Sequence, residues 1–320
     1  MTESSSESVS LKFLWSLLLE GSGDREPWTC VSNLIWAPDG SYMIISGYQE
    51  DQDTEMGPGD SWDIVWRVSL DGKWPWGVRN RGDGIAFSRD GKHLIMADPL
   101  TLNDPATGQL LKEVDAGDPE FSSWFNRGNV YKASESRYDI ELHKPDGNKE
   151  LIYSGSDKII TALTSQNNAN ITLICFKTIA CLDLPDGSQR WCIGYNSKYK
   201  PYLADNRELI VLLKDAGEDI SLIERETGKI CQTISGHDKC VTAAAFFPDN
   251  RRLITGSADH TLRIWNIETA AELARIELEN KNEAREFVFS PDATKVAVVC
   301  WQIEGRYNYS LKLFDLIQAV

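Results

Sequence analysis

Apolar and polar positions alternate along this chain in short runs broken by tight polar turns. Residues 33–46, NLIWAPDGSYMIIS, are typical: two β-leaning runs flank Pro38-Asp39-Gly40. The same form recurs at Arg89-Asp90-Gly91, Arg127-Gly128-Asn129, Asn167-Asn168, Asp205-Asn206, Asp249-Asn250 and Pro291-Asp292-Ala293. An alternating run, a turn rich in Gly, Asn or Asp and a second run predict a β-hairpin. A second turn series interleaves with the first at Asp71-Gly72, Thr107-Gly108, Asp146-Gly147, Asp186-Gly187, Thr227-Gly228 and Thr269-Ala270, spaced by 36, 39, 40, 41 and 42 residues. Two hairpins per repeat of about 40 residues give four short strands per repeat, and about seven repeats fit the chain. No long helical periodicity occurs, and no Pro- or Ser-rich linker divides the sequence.

A sheet of four short strands cannot bury both faces alone, and radial stacking of such sheets solves that problem. The pattern therefore predicts an all-β fold, a seven-bladed β-propeller. The last repeat stops after its third strand, Leu311–Leu316, while Leu11–Leu19 (LKFLWSLLL) precedes the first hairpin. Pairing this N-terminal strand with the last blade would close the ring and remove two open sheet edges; the same run could instead form a short helix. Residues 1–8, acidic and Ser-rich, are expected to be disordered, and 9–320 to form a single domain.

Composition narrows the function. Lys+Arg 33 against Asp+Glu 48 gives a net charge of -15, whose field repels phosphate and argues against direct nucleic-acid or anionic-membrane binding. No apolar run approaches the roughly 18 residues of a membrane-spanning helix. Phe13–Leu19 is short, and its leader is acidic, unlike a signal peptide. Seven cysteines, an odd number without zinc-type spacing, read as buried reduced thiols and a cytoplasmic protein.

Residues 236–271, GHDKCVTAAAFFPDNRRLITGSADHTLRIWNIETAA, resemble a full WD repeat: a Gly-His start, a Pro-Asp turn, a TGSAD segment, and Trp-Asn where Trp-Asp is usual. The other six repeats keep turns and spacing but not the signature. In the first, Ser46, Asp60 and Trp66 match Thr255, Asp259 and Trp265. The resemblance implies a WD-type propeller in which His237, Thr255, Asp259 and Trp265 form a buried structural hydrogen-bond network. A catalytic triad drawn from these residue types is disfavoured, because an indole N–H only donates and no oxyanion-forming turn accompanies it.

Other candidate chemistry is sparse. The insertion Gln49–Ser61 carries Glu50, Asp51, Asp53, Glu55 and Asp60, but its glycine falls one position late for a calcium loop and the twelfth position is Trp62. A solvated acidic loop that meets a basic partner segment fits better. The four histidines share no metal-ligand spacing; His260 and His143 are expected in solvent and His93 half-buried. No phosphate loop, dinucleotide fingerprint or nucleophile elbow appears, so no cofactor, metal or catalytic residue is assigned. Most of the eleven tryptophans read as core, whereas Trp74-Pro75-Trp76 forms either an exposed rim patch or a cover for a blade edge.

The function expected is a non-catalytic scaffold that binds a protein or peptide partner, with a propeller hydrolase acting at its channel end as the alternative. The family presents on one face the loops before each first strand and between each second and third. Aligning repeats on Trp36, Phe87, Phe125, Phe246 and Phe289, with Leu163 and Leu203 as weaker anchors, places residues four and six positions earlier on that face. The partner-binding set so obtained includes Arg81, Asp83, Phe121, Ile159, Tyr199, Thr242, Glu283 and Arg285.

Overall fold

The computed structural model describes residues 9–19, 30–50, 61–73, 75–80, 85–88, 90–96, 100–113, 130–133, 138–143, 149–164, 169–184, 186–194, 209–213, 218–302 and 308–318. Among them, 26 strands pair into seven small antiparallel sheets, with one 3-10 turn at Glu279–Lys281 and no α-helix. β1 (Val9–Leu19) precedes sheet 1, made of β2 (Cys30–Trp36), β3 (Tyr42–Glu50), β4 (Ser61–Ser69) and β5 (Trp76–Asn80). Sheet 2 holds β6 (Ile85–Phe87), β7 (Leu94–Met96), β8 (Thr101–Asn103) and β9 (Leu110–Glu113). The described strands of sheet 3 are β10 (Val130–Ala133), β11 (Asp139–His143) and β12 (Lys149–Ser154). Sheet 4 comprises β13 (Ile159–Thr164), β14 (Asn170–Cys175), β15 (Thr178–Asp183) and β16 (Gln189–Gly194). Those of sheet 5 are β17 (Leu209–Leu213), β18 (Ile220–Glu224) and β19 (Ile230–Ile234). Sheet 6 is β20 (Val241–Phe246), β21 (Arg252–Ser257), β22 (Thr261–Asn266) and β23 (Glu272–Glu277). Sheet 7 is β24 (Asn282–Phe289), β25 (Lys295–Gln302) and β26 (Asn308–Gln318), with β1 as its fourth strand.

The all-β class, the seven sheets and the pairing of first strand with last are those expected of a seven-bladed WD-repeat propeller. β1 runs antiparallel to β26 from Val9↔Gln318 to Leu19↔Tyr309, with a bulge between Phe13 and Trp15. An extended strand wins over the short helix because β26 offers an open ladder, and Leu14, Leu17 and Leu19 pack with Leu311 and Leu313.

The turns explain the hairpins. Gly40 and Gly91 adopt φ of 73° and 72°, a region that glycine enters without steric cost. Asn250 and Ala293, at the equivalent positions, take φ of 56°. One residue earlier an aspartate accepts the next backbone N–H, as Asp39 does from Ser41 at 3.0 Å and Asp292 from Thr294 at 3.1 Å.

The chain divides into two compact units, residues 1–125, 254–264 and 272–320, and residues 126–253 and 265–271. In the first, Leu34, Trp36, Met43 and Val68 of sheet 1 share a core with Leu19, Ala297, Val299, Leu311 and Leu313 of sheet 7. Trp36 donates its Nε1–H to the Val288 carbonyl at 2.9 Å, and Trp15 on β1 donates to the Leu70 carbonyl at 2.6 Å. In the second, one cluster joins Ile140, Ile159, Ile171, Leu173, Cys175 and Leu182, and another joins sheet 5 to Val241, Phe246 and Trp265. Here Trp191 on β16 donates to the Arg225 carbonyl at 2.8 Å, and Gln232 on β19 to that of Glu268 at 3.3 Å. The expected boundary at residues 1–8 lies outside the described residues.

The cysteine expectation needs correction. All six that are described are free thiols, but only Cys175, Cys181 and Cys300 are buried. Cys192 and Cys231 are exposed because they lie on β16 and β19, the last strands of their sheets.

Candidate functional site

The signature repeat supplies a buried polar cluster. His237 and Trp265 are both buried and meet edge to face, ring centroids 5.8 Å apart. Thr255 on β21 is fully buried. Asp259, in the β21–β22 turn, accepts from the Thr261 backbone N–H at 2.9 Å, from the Thr261 hydroxyl at 2.6 Å, and from Arg263 Nη2 at 3.1 Å. Arg263, 1% exposed, also donates to Glu272 at 3.1 Å. The Arg275 guanidinium, and secondarily Arg263, hold the Glu272 carboxyl below its ordinary range. Arg263 extends the expected polar set; its sequence signal is a cation inside the apolar run TLRIWN, four residues after Asp259. A buried arginine between two carboxylates is a structural clamp, since removing any member strands the others in low dielectric. Among the described residues no group of three His, Cys, Asp or Glu is placed to hold a metal, and no helix is long and apolar enough to cross a membrane.

The loop ends of the sheets carry the other candidate set. At the start of β24, Glu283 is buried and its carboxylate receives Arg285 Nη2 at 3.0 Å. The Arg285 guanidinium lies 4.6 Å from the Trp301 ring centroid, and Trp301 pairs with Glu283 across the ladder. Thr242, near the start of β20, is half-buried. On the same strand as Arg285, Glu286 is half-buried, and burial raises its carboxyl to about 7.

A shared irregularity fixes which residues face outward. In sheet 1 the β2–β3 ladder skips Ser32, in sheet 7 the β24–β25 ladder skips Arg285, and in sheet 4 the β13–β14 ladder skips Ile160. A bulge shifts the two-residue alternation by one, re-aiming the side chains before it. Anchoring sheet 4 on Leu163 assigns Asp157 and Ile159 to the face; the bulge shifts the alternation by one and assigns Lys158 instead. Ile159 is accordingly 1% exposed and belongs to the core. At the same end of sheet 4, Phe176 in the β14–β15 turn is 59% exposed. Its signal is an aromatic in a hairpin turn, ITLICFKTIACL, where polar residues are usual.

Arg81, Asp83, Phe121 and Tyr199 lie outside the described residues, as do Trp74 and residues 51–60 of the acidic insertion. Trp76 opens β5 half-buried and packs against Val65, Leu94 and Met96, so for this residue the edge-covering alternative holds. His93 is half-buried as expected; His260, expected in solvent, is half-buried too, at φ 65°.

The family model described as WD domain, G-beta repeat matches residues 228–266, a span that takes in the His237–Trp265 pair and the Asp259–Arg263 clamp. The chain contains a WD repeat. Stretches of it are similar to curated proteins: 31% identical over 80 residues to the periodic tryptophan protein 2 homolog of Neurospora crassa, covering 25% of this chain and 9% of that protein. Over 74 residues it is 30% identical to lissencephaly-1 homolog 1 of Paramecium tetraurelia, covering 22% and 18%. Over 95 residues it is 30% identical to the tRNA (guanine-N(7)-)-methyltransferase non-catalytic subunit wuho of Aedes aegypti, covering 28% and 23%. The chain thus spans less than a quarter of the length of each of these relatives.

Proposed function

We propose that this WD-repeat chain is a non-catalytic scaffold that takes a protein or peptide partner at the loop ends of its sheets. The observation that carries the reading is the Glu283–Arg285–Trp301 cluster. A bulge frees Arg285 from the ladder, a carboxylate at 3.0 Å orients it and an indole ring backs it at 4.6 Å. An arginine held this way loses little side-chain entropy on contact, and arginines and aromatics dominate interface energetics. Thr242 and, by sequence alignment, Arg81, Asp83, Phe121 and Tyr199 extend the same set. The acidic insertion at 49–61 supplies charge complementary to a basic segment of the partner. The name of the wuho relative, a non-catalytic subunit of a methyltransferase, agrees with a role inside a larger complex. We place that work in the cytoplasm, where free thiols such as Cys175 and Cys181 remain reduced.

The test is affinity purification with the wild type and with a combined Arg81→Ala/Phe121→Ala/Arg285→Ala variant that melts at the same temperature. A partner recovered by the first and weakened about tenfold or more in the second is the expected result, about 1.4 kcal/mol or more of binding energy. Binding within about twofold of wild type would remove this face from consideration.

A further inference from the structure

We propose that the loop end of sheet 4 is a recognition subsite for an acidic peptide segment carrying an apolar anchor residue. Two loops meet there. The turn joining β14 to β15 presents Phe176 and Lys177, and the loop entering β13 presents Ser156, Asp157 and Lys158. The backbone N–H of Phe176 donates to the Lys158 carbonyl at 2.8 Å, that of Lys177 donates to Asp157 Oδ2 at 2.7 Å, and the Thr178 hydroxyl donates to the same oxygen at 3.0 Å. Phe176 therefore stands 59% exposed on a stitched turn, not on a free loop. A rigid exposed aromatic ring gives contact area at small entropic cost, which is what an interface anchor requires.

Charge decides the occupant. Among the described residues of the two loops, Lys158 and Lys177 are exposed, while Asp157 accepts two hydrogen bonds within the loop. A local excess of cations around an apolar ring, on a chain whose net charge is -15, is complementary to an acidic segment with a buried apolar side chain. The overall negative field does not forbid this, since at physiological salt it decays over about 8 Å and the contact pairs act inside that distance. The bulge supports the assignment independently: it puts Lys158 in sheet 4 at the register position that Glu283 holds in sheet 7, so the two sheets carry opposite charges there. The inference rests on the reading of the loop ends as the binding surface, and gives one of them its chemistry.

The experiment is fluorescence anisotropy on the full chain with two fluorescein-labelled twelve-residue probes. One alternates glutamate and aspartate with leucine and phenylalanine; the other has lysine and arginine in place of the acids. The acidic probe should bind the wild type with sub-millimolar affinity. Phe176→Ala and Lys158→Glu/Lys177→Glu should each weaken it about tenfold or more without a shift in melting temperature, while Lys229→Ala, an exposed lysine in the β18–β19 turn, leaves it unchanged. No binding of the acidic probe at about 1 mM, or equal binding by all variants, overturns the proposal. A basic probe that binds the wild type and is lost in Arg285→Ala would overturn it for sheet 4 while leaving the broader loop-end reading intact.

Discussion

Glu286 is half-buried on β24, and burial alone lifts its carboxyl to about 7, so the fold prefers its protonated form. In the unfolded chain the same group titrates near 4.5. Stability is therefore fully present below that value and is lost as pH rises through about 7. At about 1.4 kcal/mol per unit, and discounted for the part of the side chain that water reaches, the loss is about 1–2 kcal/mol. Glu286→Gln should melt with the wild type near pH 4.5 and above it at pH 8. Turn aspartates such as Asp39 and Asp292, lowered first by serine hydroxyl bonds, act in the opposite direction in both proteins and cancel in the comparison. A constant gap across the titration would remove Glu286 as the cause. Glu286 was not legible in the sequence, because a charged residue in an alternating run reads as the outward one until the ladder is known; the burial of Arg263 had only a faint signal, a cation inside the apolar run TLRIWN.

Gly256 on β21 shows what the elements demand of each other. A Cβ there would lie 2.4 Å from the Ala284 Cβ on β24, far inside contact distance. Gly256→Ala should cost about 1–3 kcal/mol in chemical denaturation. Adding Ala284→Gly to it should recover part of the loss, and a double variant no better than the single one would refute the contact. The strands themselves were legible, because paired turn residues mark both ends of each hairpin and the four described turns of the first series that carry Gly, Asn or Ala all adopt positive φ. The face each strand presents was less so. In sheet 4 no aromatic marks the inner strand, Leu163 is one position off the true register, and the bulge that would correct it leaves no mark in composition. Exposure of Cys192 and Cys231 escaped for a related reason, since a last strand keeps the apolar alternation of its neighbours while half of it faces water.

At the scale of the molecule, the first described strand, β1, is paired with the last, β26. Deleting residues 9–19 would leave the β26 edge unpaired from Tyr309 to Gln318 and would expose Leu311 and Leu313, now fully buried. Such an edge is a template for another chain. The truncated protein should elute as soluble aggregate in size-exclusion chromatography, and a monomer that melts like the wild type would contradict the closure role of β1. This pairing was readable because a spare strand at one end and a missing one at the other are visible in a simple count of repeats.

Trp15, Trp36, Trp191 and Gln232 have one thing in common: each reaches a neighbouring sheet by donating to a main-chain carbonyl, at Leu70, Val288, Arg225 and Glu268. A carbonyl is there whatever side chain its residue carries. The receiving sheet can therefore drift in sequence without withdrawing the acceptor, provided its turn keeps its shape. That freedom gives a physical account of why a chain with one well-matched repeat can hold six that have lost the signature and kept only the turns.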